Sequence, residues 1–211
     1  MTSTGVQFVQ KLIDGVARFK NEVVPQHKAL FDQLATGQSP EVLFITCADS
    51  RIDPGMITQT QPGDIFVCRN AGNVVPPHGQ AIEGTVASIE FATAVLGVKH
   101  IVVCGHTDCG AIKGAMAPGN LDAIPRVQDW VDHARAAVRA AEAQSEDGKA
   151  ELLCATERNV VLQMEHLKSH PAVAARLAAN DIDIHGWVYH IGDGDVTAYN
   201  ADTDTFSSLT Q

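Results

Sequence analysis

Apolar residues Val6, Val9, Leu12, Ile13, Val16 and Phe19 recur at intervals of three and four, so the chain opens with a predicted amphipathic helix. Pro25 is expected to break it, and a second short helix is expected over 27–34, stopped by Gly37 and Pro40. The period then changes. Residues 41–47 and 64–70 are short β-branched, apolar runs of the kind found in strands buried on both faces, the second entered through a Pro62-Gly63 turn. Residues 84–97 place Val86, Ile89, Ala92 or Thr93 and Leu96 on one helical face ending at a glycine, and residues 99–104 form a third strand pattern.

Farther along, 123–148 is alanine-rich and charged, predicting exposed helix. Residues 152–167 carry Leu153, Val160, Val161, Met164 and Leu167 as a buried helical stripe. The runs 182–191 and 195–199, joined by Gly192-Asp193-Gly194, read as a strand pair. Strands separated by helices need crossover connections. The expected architecture is therefore α/β: a mostly parallel central sheet with flanking helices, an antiparallel edge strand and an N-terminal helical arm over 1–35, in one domain spanning 1–211. Ligands of such sheets gather at the carboxyl ends of the strands.

Composition narrows the function. Twenty-five acidic against 15 basic residues give a formal net charge of −10, which argues against a nucleic-acid or anionic-membrane surface. No run approaches the roughly 18 apolar residues of a membrane helix. Five cysteines, an odd number, with no secretory signal pattern at the start, point to a reducing compartment and a cytosolic address.

The candidate chemistry sits just past two strand ends, in Cys47-Ala48-Asp49-Ser50-Arg51 and Gly105-His106-Thr107-Asp108-Cys109-Gly110. If the two strands are neighbours, Cys47 meets His106 and Cys109 around one ion. Two thiolates and an imidazole suit Zn2+, and three protein ligands leave the open corner of a catalytic site. Two thiolates also cancel the dication's charge, so a hydrogen-bond acceptor for the metal's water would help, and Asp49 is adjacent. A free carboxylate there could itself take the metal; Arg51 can fork onto it and restrain it. Each element alone has an ordinary explanation, a buried cysteine or a loop ion pair, and it is their conjunction that points to a metal site. Cys68, Cys104 and Cys154 fall inside apolar strand or helix patterns and are expected to be structural, with His106 and Cys109 in the loop after the third strand. His78, His133, His166, His170, His185 and His190 are scattered, and surface or capping roles are expected for them.

These clusters resemble the β-class carbonic anhydrases, whose pattern is Cys-x-Asp-x-Arg followed about sixty residues later by His-x-x-Cys-Gly. The similarity extends through 61–64, 69–73, 102–106 and 185–189, and looks closest to the plant and cyanobacterial branch. The resemblance implies one Zn2+ per chain on Cys47, His106 and Cys109, and an Asp49–Arg51 dyad orienting the water. The zinc hydroxide so formed would interconvert carbon dioxide and bicarbonate. It also implies a substrate pocket at Gln38, Phe66 and Phe91, the last standing where the branch has tyrosine, and assembly as a homodimer or larger homo-oligomer. Nucleic acid and membrane are not expected partners, and packing in a microcompartment such as a carboxysome is compatible with the family. A second branch closes into an inactive, bicarbonate-bound form around a tryptophan. Here Phe44 stands at that tryptophan's place and Thr46 replaces a glycine, with Arg69 alone matching, so no bicarbonate switch is expected. The alternatives are hydrolysis of carbon disulfide or carbonyl sulfide on the same scaffold, or a non-catalytic zinc or bicarbonate-sensing protein.

Overall fold

The computed structural model describes residues 3–80, 84–117, 119 and 121–210, with side chains from residue 7 onward, so Val6 of the opening stripe lies outside the described side chains. The chain divides into two units, Met1–Gln38 and Ser39–Gln211.

The first unit is helical. Helix α1 (Ser3–Arg18) runs on through a widened π turn, Phe19–Val23, into α2 (Val24–Gln26), and α3 (Lys28–Leu34) follows. The break falls at His27 (φ −113°, ψ 29°) and not at Pro25. A proline inside a helix lacks an N–H and crowds the carbonyl four residues back. The wider turn before it, where the Val24 N–H donates to the Phe19 carbonyl, accommodates that loss. Phe8, Val9, Leu12, Ile13 and Val16 form the expected stripe, exposed along α1, and Phe19 meets Phe31 edge-on at 5.6 Å between ring centroids.

The second unit is built on a six-stranded sheet: β1 (Val42–Cys47), β2 (Ile65–Asn70), β3 (His100–His106), β4 (Asp183–Tyr189), β5 (Val196–Asn200) and β6 (Thr205–Ser208). Their order is β2-β1-β3-β4-β5-β6, with β1 to β4 mutually parallel and β5 and β6 antiparallel. The predicted antiparallel edge is present as β5, and β6, which the hydrophobic pattern does not reveal, pairs beyond it. Helices α4 (Pro54–Thr58), α5 (Gly84–Glu90), α6 (Gly110–Met116), α7 (Pro125–Val131), α8 (Arg135–Gln144), α9 (Leu152–Lys168) and α10 (Pro171–Ala178) connect the strands. Helix α5 runs on as a π segment, Phe91–Leu96, and stops at Gly97, whose φ of 69° suits glycine.

Four expectations change. Leu153, expected in the buried stripe of α9, is exposed in its first turn, and the stripe is buried only farther along, at Val160 and Leu167. Strand β2 is not buried on both faces: it is an edge strand, and Val67 is exposed. His106 is the last residue of β3 and not a loop residue, since pairing with Tyr189 of β4 carries the ladder to it. The 123–148 region is helical but not exposed as a whole. Val131, Ala134, Ala137, Val138 and Ala141 are buried, because alanines three and four apart let α8 approach its neighbours closely.

The main core lies where Leu43, Ile45, Ile101, Val103 and Val188 of the sheet meet Ile89 of α5 and Val160 and Leu167 of α9. Alternation along the strands sends Phe44, Val102, Cys104 and Trp187 into a smaller cluster. Helix α9 sits so close to β4 that a Cβ on Gly186 would lie 2.5 Å from Met164 Sδ and 2.8 Å from Val160 Cγ1. Gly186→Ala is therefore expected to cost about 1–3 kcal/mol by overpacking, seen as a lower urea midpoint with an unchanged m value.

Candidate metal centre

Strands β1 and β3 are neighbours in parallel register, Thr46 opposite Cys104, so their carboxyl ends lie side by side. Cys47 ends β1, His106 ends β3, and Cys109 is the residue from which α6 starts. One donor atom from each lies within 4.8 Å of the other two, and all three residues are buried.

The tautomer of His106 follows from its bond. Nδ1 is 2.8 Å from the Thr107 carbonyl oxygen, which can only accept, so Nδ1 carries the proton and Nε2 keeps its lone pair. That Nε2 is buried without a hydrogen-bond partner among the described residues. A buried acceptor left unpaired is costly, and a cation shared with the two sulfurs would satisfy it. Cys47 Sγ accepts the Gly72 N–H at 3.3 Å. The bond from Cys109, with lesser help from that N–H, lowers the Cys47 thiol, whereas Cys47 and burial push Cys109 up. Two close thiols resist holding two negative charges, and a divalent ion removes that resistance. The donor set fits zinc.

Asp49 and Arg51 form a two-pronged ion pair: Nε donates to Oδ1 at 2.9 Å and a terminal nitrogen donates to Oδ2 at 2.8 Å. The Arg51 backbone N–H adds a third bond to Oδ1, also at 2.9 Å. Asp49 Oδ2 lies 4.0 Å from His106 Nε2. The guanidinium bonds, followed by the Arg51 backbone N–H, hold the Asp49 carboxyl well below the usual carboxylate range.

Around this set stand residues that the sequence motif does not single out. Asp108, at φ 63°, accepts from Arg51 at 3.0 Å and pairs with Lys113, tying the first loop to the second. Arg69 of β2 donates to the Cys47 carbonyl at 3.0 Å and to the Asp49 carbonyl at 2.7 Å, bracing the turn between ligand and dyad. Gly72, at φ 79°, sits where a Cβ would be 2.8 Å from Ala111 Cβ. Its carbonyl accepts from Asn159, which accepts from Gln163, whose Oε1 takes the Val75 N–H. Asn159 and Gln163, four apart on α9 and fully buried, thus anchor the loop that bonds Cys47. Two polar residues at helical spacing beside an apolar stripe are a signal that could have found them.

The proposed pocket residues are placed differently. Phe66 and Phe91 face each other at 6.0 Å, but Phe66 pairs with Leu43, four residues before the level of Cys47, which is about 13 Å along a strand. Gln38 is the last residue of the N-terminal unit. Phe44 is buried edge-on against Trp187 at 6.0 Å, and the Thr46 hydroxyl donates to the Cys104 carbonyl. A cleft of about 640 Å³ runs along the open side of β2, lined by Val67, Arg69, Asn70, Ala71, Arg126 and Trp130 among others. It reaches the loop that contacts Cys47 without including the three donors.

The carbonic anhydrase family profile matches residues 42–196, most of the chain. The solved β-carbonic anhydrase CcaA superposes with a TM-score of 0.89 at 40% identity, covering 95% of this chain and 99% of that one. The chain belongs to the β-class carbonic anhydrase family. The carbonic anhydrase of Pseudomonas aeruginosa is 44% identical over 204 residues, 96% of this chain and 93% of its relative. One of two tetrameric β-carbonic anhydrases from Sordaria macrospora matches with a TM-score of 0.77 at 31% identity, over 93% and 97% of the two chains.

Within this β-carbonic anhydrase scaffold the depressed Asp49 carboxyl makes stability depend on pH. A group whose folded pKa is lowered stabilises the native state above its unfolded value, about 3.9, and loses that contribution as pH falls through the folded value. Metal-free wild type is therefore expected to be more stable than Asp49→Asn at neutral pH. Their thermal midpoints should converge as pH drops from about 4 towards about 2; a gap that persists would show that the pairing with Arg51 does not hold the carboxylate.

Proposed function

We propose that this chain catalyses the reversible hydration of carbon dioxide to bicarbonate and a proton, with one Zn2+ per chain held by Cys47, His106 and Cys109. The observation that carries the reading is the buried, unpartnered His106 Nε2 beside two thiols and a clamped carboxylate. Zinc bound there supplies a Lewis acid that makes water a nucleophile near neutral pH.

The chain's own residues do the rest. Asp49 Oδ1 accepts two bonds from Arg51 and Oδ2 accepts one. The oxygen with spare capacity is thus Oδ2, the one that lies towards His106. It can accept a hydrogen bond from a water at the centre and fix that water's orientation. Arg51 keeps the carboxylate from turning to take the metal. A carboxyl held so far below neutral has little drive to keep a proton, so Asp49 orients and does not store one. Arg69 preserves these distances by holding the backbone of Cys47 and Asp49, and the Gly72 N–H holds the Cys47 sulfur.

The same reading extends to assembly and location. The apolar stripe exposed along α1, the open edge of β2 and the exposed Phe91 support a homo-oligomer, in keeping with the tetrameric Sordaria relatives. Phe66 and Phe91, remote from the cysteines of their own chain, suit a contact with a second copy better than the lining of their own centre. Five free cysteines support a reducing, cytosolic compartment, and among the described residues no helix is long and apolar enough to cross a membrane.

Stopped-flow hydration of carbon dioxide, with zinc measured in the same sample, tests reaction and metal together. Asp49→Asn is expected to keep one zinc per chain and lose about 10²-fold in kcat/KM, the cost of lost positioning; full activity would remove its role. Chelation should abolish turnover and stoichiometric zinc should restore it, whereas Cys109→Ser should lose the metal. Release of sulfide from carbonyl sulfide at a rate exceeding carbon dioxide hydration would assign the centre to the other substrate.

A further inference from the structure

The amino ends of β3 and β4 hold a second cluster of donor side chains. The parallel register sets His100 opposite Asp183 and Val102 opposite His185. Because side chains alternate along a strand, all three project from the same face of the ladder. His185 Nε2 lies 3.3 Å from His100 Nδ1, which lies 3.6 Å from Asp183 Oδ2. One donor atom from each of the three is within 4.8 Å of the others, the closeness found for Cys47, His106 and Cys109.

We propose that His100, Asp183 and His185 form a second binding site for a divalent transition ion, with zinc as the reference ligand. Bonds of about 2.0–2.2 Å to a tetrahedral ion put neighbouring donor atoms about 3.4 Å apart. The two measured separations fall on either side of that value. At 3.3 Å the ring nitrogens are also farther apart than in a good hydrogen bond, so a proton shared between the rings explains the spacing less well. Two imidazoles and one carboxylate suit zinc and its neighbours in the first row, and their mixed nitrogen and oxygen character does not suit calcium or magnesium.

The donors are available in their metal-binding forms. Burial, followed by the neighbouring His100, pushes the His185 imidazole below its ordinary value, keeping it neutral and able to bind metal at physiological pH. Asp183 is exposed and supplies the negative charge. The position is already rigid: the Asp183 N–H donates to the Lys99 carbonyl at 3.0 Å, and Lys99 and Asp181 are ion-paired beside it. Six residue steps along β3 carry the chain from His100 to His106, about 20 Å, so the two centres share a strand without sharing a ligand. An ion here would tie β3 to β4 and favour the folded state by mass action.

Equilibrium dialysis of the untagged, zinc-loaded protein against buffered free Zn2+, followed by elemental analysis, tests the site. Wild type is expected to take up one equivalent per chain more than either His100→Ala or Asp183→Ala, both of which alter side chains that reach solvent. The comparison is a difference, so it stands whether or not the cysteine centre is loaded. The extra zinc should raise the thermal midpoint of wild type and leave both variants unmoved. Equal zinc in wild type and either variant at every free concentration would overturn the proposal.

Discussion

A lone pair sealed inside a protein must be met by something, and in this fold that requirement falls on His106 Nε2. Leaving it unmet costs about 1–3 kcal/mol, a sizeable part of the margin by which a domain is stable. The imidazole cannot escape the cost by turning over, because its other nitrogen is committed to the Thr107 carbonyl. Nor does it lie near an outlet, because the side chain is fully buried and its backbone is held in register with Tyr189 of β4. What it can do is share a cation with the two sulfurs beside it. The sheet's register, the start of α6 and the turn at Gly72 all converge on keeping those sulfurs within reach.

Much of the surrounding structure is occupied with backbone position. Arg69 spends its guanidinium on two carbonyls, and Asn159 and Gln163 spend buried amides on a loop. Such groups contribute nothing to the inventory of reactive side chains. Yet a shift of an ångström in the Cys47 or Asp49 backbone would disperse a centre whose parts come from three separate segments.

The strands and the two motifs were legible because each rests on local information: β-branched runs bounded by Gly and Pro, and reactive residues just beyond them. Adjacency of β1 and β3 was legible only as a condition, since nothing in either segment names its neighbour. Strand β6 escaped notice because Thr205-Phe206-Ser207-Ser208 has one large apolar residue and lies at the sheet's margin, where little burial is demanded. Helix α8 looked exposed because alanine is indifferent to burial in a pattern analysis, although five small or β-branched side chains of α7, α8 and the turn between them lie inside. The roles of Asp108 and Asn159 depend on partners 57 and 87 residues away, a distance at which periodicity carries no information. The same holds for His100 and His185, which lie 85 residues apart and meet only through the register of β3 with β4.

Arg51 grips carboxylates on both loops at once, Asp49 on its own and Asp108 on the other. The two loops are therefore fastened by a single rivet. Any excursion that let Asp49 rotate would also strand Asp108 with only Lys113 for company, so opening must disengage both loops in one concerted step. A resting state latched in this way favours continuous turnover over a hair-trigger response to its surroundings.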